Sequence, residues 1–125
     1  MKKNILAIII GTAWVSINEF LRNQLLFGSV WQEHYKSLGL EFPTKTLNGV
    51  VWGIWALIFT VMLYVLLNVY SRKRAAAIGW VMGFVLMWIT IGNLLVLPGR
   101  LLFIAVPWSI LETYGACWVM ATAKK

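Results

Sequence analysis

Four long apolar runs leave this chain few ways to fold. They occupy 5–27, 47–68, 75–97 and 101–121. Each is near the roughly 20 residues that a helix rising about 1.5 Å per residue needs to cross about 30 Å of hydrocarbon. Backbone amides inside lipid find no water, so such a run bonds to itself as a helix rather than standing as an open strand. With 61% hydrophobic and 12% charged residues in a length of 125, the composition excludes an ordinary soluble domain and a disordered tail. One Cys excludes a disulfide scaffold. The expected fold is all-α, a single four-helix transmembrane bundle over 1–125 with the lipid bilayer as its first partner.

Pro98, Gly99 and Arg100 are all that separates the last two runs, which predicts a tight helical hairpin with Arg100 reaching the headgroups. The net charge of +7 is explained by position. Lys2, Lys3, Arg72, Lys73, Arg74, Lys124 and Lys125 all fall on one side of an even number of spans, while Lys36, Lys45 and Arg100 on the other are offset by Glu33 and Glu41. The positive-inside rule then puts both termini in the cytoplasm of a multi-pass protein of the cell inner (plasma) membrane. Nucleic acid is not expected as a partner, since no water-exposed basic surface interleaved with stacking aromatics is present. The start, Met1-Lys2-Lys3 followed by 5–10 and Gly11-Thr12-Ala13, has the outline of a secretory signal. Its unbroken apolar core is shorter than the usual 7–15 residues, so it is read as the first span.

The segment 28–46 is the only sizeable loop, expected outside. Trp31, Tyr35 and Leu38 recur there at i, i+4 and i+7, the spacing of a short amphipathic helix on the membrane surface; a plain connector anchored by Trp31 is the alternative.

Apolar periodicity says little where lipid and bundle interior both accept Leu, so small and polar residues mark the inward faces. The stripes are Thr12, Ser16, Glu19 and Asn23; Gly49, Gly53, Ala56 and Thr60; Gly79, Gly83, Thr90 and Asn93; and Ser109, Glu112, Thr113 and Ala116. The pairs Gly49/Gly53 and Gly79/Gly83 are G-x-x-x-G signatures and are expected to pack helices, within the chain or between copies. Of eight Trp, six (31, 52, 55, 80, 108 and 118) fall near span ends as interfacial anchors. Trp14 and Trp88 fall deeper, as packing or as walls of a ligand pocket. Trp14-Val15-Ser16-Ile17 echoes Trp88-Ile89-Thr90-Ile91, which reads either as a parallel two-helix duplication or as chance.

Two carboxylates lie inside spans. An ionisable side chain at a helix centre costs about 2.5–3.5 kcal/mol on insertion scales, so each is a functional candidate. Glu19 has Arg22 at i+3 and Asn23 beside it, the spacing of a local ion pair. Glu112 has no cation on its own helix and lies roughly 16 Å from Leu101 along the helix, near the midplane. It is the leading candidate for a proton or ligand site, with Glu19, Arg22 and Asn93 as companions. Its charged form needs Arg22 or a water-filled cavity; otherwise it is carried protonated. Pro107 removes a backbone hydrogen bond just before it.

Other chemistry lacks its residues. His34 is the one His, in the loop, and is expected to be solvated; Cys117 has no base beside it and is expected to pack as a small apolar side chain. No Asp and no phosphate-binding glycine loop occurs. No metal, no cofactor and no catalytic residue is expected.

The segment Leu25-Leu26-Phe27-Gly28-x-x-Trp31 resembles an L-L-F-G-x-x-W segment in a family of small four-helix bacterial inner-membrane proteins of unknown function. Where that family typically has Tyr-Ser-Pro, this chain has Arg22-Asn23-Gln24. The resemblance implies a fold and no activity. Two functions are therefore carried forward: a non-catalytic subunit or scaffold that docks through its glycine faces on itself, as a homo-oligomer, or on a larger membrane complex; and a small proton-coupled transporter or channel using Glu112, Glu19 and Arg22, its small-molecule ligand unknown.

Overall fold

A helix buried in lipid is bounded by the residues that end its hydrogen bonding, and the boundaries here fall close to the apolar runs. A computed structural model describes residues 1–125. It contains five helices and no strand. Four are long and apolar enough to cross a membrane: α1 (Lys2–Leu26), α3 (Thr46–Val69), α4 (Arg72–Asn93) and α5 (Gly99–Ala123). The short α2 (Gly28–Ser37) lies in the loop between α1 and α3. The protein is a membrane-embedded four-helix bundle.

One boundary differs from expectation. The helix expected to run to residue 97 stops at Asn93, because Leu95 takes a left-handed conformation (φ 60) that turns the chain back on itself. The amides of Leu95 and Val96 bond the carbonyls of Gly92 and Ile91, closing the helix end. The turn therefore occupies 94–98, and Arg100 lies in the first turn of α5, paired with Glu33 of α2 at 2.9 Å. His34 bonds the Leu95 carbonyl at 2.9 Å and is half-buried against this turn. Within the loop 28–46 the helix covers only Gly28–Ser37, Leu38 falls just past its end, and Trp31, Tyr35 and Phe42 pack together.

Around the bundle, α1 packs on α3 and α5, and α4 packs on the same two from the other side. At the end opposite the loop, Lys3 bonds the carbonyl of Lys125, and Lys124 bonds Asn68. Both chain ends thus sit together, beside the end of α3. The core is built from small residues meeting large ones: Ala7, Val15, Leu63, Phe84, Cys117 and Met120 are buried together.

The glycine pairs behave differently. A methyl group added at Gly79 or Gly83 would collide with Leu63 or Phe59 of α3, so this pair seats α4 on α3 as expected. Gly49 and Gly53 have nothing within 4 Å of such a methyl, so they pack no helix within the chain. They belong to one stripe with Ala56, Thr60 and Leu63 at helical spacing. The lower half of that stripe is buried and the half near the loop is not covered.

Candidate functional site

Glu19, Arg22 and Asn23 stand on one face of α1 at i, i+3 and i+4. Arg22 is 3% exposed and Glu112, from α5, is 1% exposed. Arg22 Nη2 donates to Glu19 Oε1, and Arg22 Nη1 donates to Glu112 Oε2 at 2.5 Å. Asn23 Nδ2 donates to the other Glu19 oxygen at 2.8 Å and its own oxygen accepts from Trp31 Nε1 at 3.3 Å. One guanidinium thus bridges two buried carboxyls.

Backbone irregularity helps to bring the partners together. Residues 21–26 of α1 and 81–85 of α4 are π-helical, with wider turns than an α-helix. Arg22 sits in the first and Phe84 in the second, and the guanidinium carbon lies 5.3 Å from the Phe84 ring centre. Trp55, Phe59 and Trp88 extend the aromatic packing around Phe84. The cation therefore bonds two carboxyls and lies over an aromatic ring.

The charge count is uneven. Two carboxyls face one cation, and the buried Glu112 Oε1 has no hydrogen-bond partner. An orphaned polar atom in such a place is costly, and in hydrocarbon a surplus charge is more so. One proton on the pair would turn the orphan into a donor and bring the cluster to neutrality.

Tryptophans close the neighbourhood. Trp14 Nε1 donates to the Glu112 carbonyl at 3.0 Å with its ring over Gly115, and Trp108 Nε1 donates to Asn18 Oδ1 at 3.0 Å. Trp80 Nε1 donates to Ser109 Oγ at 2.8 Å. Trp80 and Trp108 therefore bond inside the bundle rather than acting only as interfacial anchors.

Beside the cluster, α1 and α3 enclose a cavity of about 320 Å³ walled by Ser16, Glu19, Asn23, Gln24, Trp52 and Gly53. Phe20, Trp52 and Gly53 are exposed, so the cavity opens between these two helices on the outer surface of the bundle. Its floor is the uncovered glycine stripe.

Asn93 does not join the site. It is exposed at the end of α4 and makes no side-chain hydrogen bond; α4 instead contributes Phe84, about 13 Å deeper at 1.5 Å per residue. Phe84 and Trp52 carried no polar signal, and nothing in the sequence set them apart from other aromatics. Neither a family model, nor a curated protein, nor a solved structure significantly matches the chain.

Proposed function

We propose that this chain is a small proton-coupled carrier of the inner (plasma) membrane, with Glu19, Arg22 and Glu112 as the group that gains and loses the proton. The observation that carries the reading is the partnerless Glu112 Oε1 in a buried triad with two carboxyls and one cation. Replacing buried ion pairs by apolar residues is often neutral or stabilising, so such a triad is poor structural glue. Ionisable side chains buried within spans mark proton relays and substrate paths, and that use accounts for their presence here. Glu112 has a fully buried side chain, whereas Glu19 belongs both to the triad and to the cavity wall. Glu19 is thus the contact between proton and solute. Both termini face the cytoplasm in this reading, supported by the gathering of Lys2, Lys3, Arg72, Lys73, Arg74, Lys124 and Lys125 at one end.

Infrared difference spectroscopy of the protein in lipid during a pH titration tests this. The carbonyl stretch of a protonated carboxylic acid should appear and should be lost in Glu112→Gln. Absence of any titrating acid band in the wild type would remove the reading.

A second reading is a non-catalytic subunit docking on a second copy or a larger complex, favoured by the uncovered Gly49/Gly53 face. Purification in mild detergent should then yield a stoichiometric partner or homo-oligomer, and a lone monomer in native mass spectrometry would exclude it.

A further inference from the structure

We propose that the cavity between α1 and α3 binds a small organic monocation with an apolar body, in exchange for the proton held by the Glu19–Arg22–Glu112 triad. The inference rests on the proton-carrying reading above and adds the substrate class and its place.

The sign of the ligand follows from the charges. The triad without its proton carries one net negative charge, and the charged groups that meet there are Glu19 and Arg22 from α1 and Glu112 from α5. α4 brings the Phe84 ring and α3 brings Trp52 and two glycines, so neither adds a charge. In a site of low dielectric that charge attracts a cation and repels an anion far more strongly than in water. Among the triad side chains it is Glu19, 7% exposed, that forms part of the cavity wall. The shallower hollow on the opposite side of α1, beside Trp14 and Trp108, meets Glu112 where its carbonyl is already bonded to Trp14 and its side chain is fully buried.

The shape and lining suit an organic ion rather than a bare metal. The volume of about 320 Å³ lies at the lower end of small-molecule pockets, which begin near 300 Å³. No group of three or more potential metal-ligating side chains exists. Trp52 offers an indole face, the best ring for an ammonium group. Ser16, Asn23 and Gln24 offer hydrogen-bonding groups, and an apolar body can lie against α3 at Gly49 and Gly53, where no side chain intervenes. The opening lies between two lipid-facing helices, which suits a ligand that partitions from the bilayer.

Exchange follows because one charge cannot be neutralised twice. A cation against Glu19 removes the need for the proton, so binding one releases the other, and each weakens the other equally.

Isothermal titration calorimetry with benzyltrimethylammonium tests this, run in two buffers of different ionisation enthalpy so that protons released are counted. The uncharged carbon isostere neopentylbenzene is the control. One proton should be released per cation, and the affinity should rise about tenfold per pH unit over the range in which the triad holds its proton. Gly53→Leu, at a position open in the fold, should abolish binding while leaving the infrared acid band unchanged. Trp52→Ala should weaken binding about fivefold or more, by analogy with a desolvated cation–ring contact. Absence of binding while the acid band is present would overturn the cation site and leave the proton reading standing. Binding equal to that of neopentylbenzene, or unaffected by Gly53→Leu, would overturn the site. Binding without proton release would overturn the exchange, and only if the acid band were also absent would the proton reading fall with it.

Discussion

The Arg22 guanidinium lies 5.3 Å from the centre of the Phe84 ring, and each residue occupies a π-helical turn of its own helix. Phe84→Leu keeps a large apolar side chain and removes the ring. It should lower stability by about 0.5–2 kcal/mol, whereas Phe84→Ala should lower it by about 3–5 kcal/mol. Equilibrium unfolding in mixed micelles measures both. A Leu variant as stable as the unaltered chain would show that the face of the ring has no special part in holding Arg22.

Removing the cation strands two carboxyls. Arg22→Met should destabilise by about 3–5 kcal/mol, the usual loss when one member of a buried pair is deleted. Glu112→Gln in the same chain should recover part of this, with a coupling of about 0.5–3 kcal/mol in a double-mutant cycle. Additive effects would contradict the contact.

The two glycine pairs should respond oppositely to a methyl group. Gly83→Ala forces Phe59 to move and should cost about 1–3 kcal/mol. Gly49→Ala meets nothing within 4 Å and should be neutral or stabilising by up to about 1 kcal/mol from helix propensity. Unfolding in the same micelles compares them, and equal losses at both positions would contradict the packing described.

Labelling with a membrane-impermeant maleimide reads topology. Single cysteines at Lys73 and Lys124, in a chain carrying Cys117→Ala, should react from one face and a cysteine at Lys36 from the other. In the unaltered chain Cys117, buried in the core, should stay unlabelled until the protein unfolds. Reaction of positions 73 and 124 from opposite faces would contradict an even number of spans.

The spans were legible because hydrocarbon thickness sets their length, whatever the neighbours do. Glu19 and Arg22 were legible as a pair because they share a helix at i+3. The bond from Arg22 to Glu112 stood only as one alternative beside a water-filled cavity, because it joins helices 90 residues apart in the chain. Identical G-x-x-x-G spacing at 49/53 and 79/83 had different outcomes, since what covers a stripe is decided by the neighbouring helix and not by the stripe. Trp80 and Trp108 read as membrane anchors because their acceptors, Ser109 and Asn18, come from other helices. Asn93 was read as an inward residue, but the left-handed Leu95 ends the helix there and leaves it at the rim. The π-helical turns left no mark in composition or spacing.

The loop helix is wired into the interior. Trp31 of α2 donates to Asn23, and Asn23 holds the outer oxygen of Glu19. On its other side α2 pairs Glu33 with Arg100 of α5, bonds His34 to the Leu95 carbonyl and packs Val30 and Trp31 on Phe27, Leu101 and Ala105; the exposed ion pair is of the kind that contributes about 0–1 kcal/mol and fades with salt. A surface element joined through two hydrogen bonds to a buried carboxyl makes the electrostatics of the interior sensitive to whatever touches that face of the bundle.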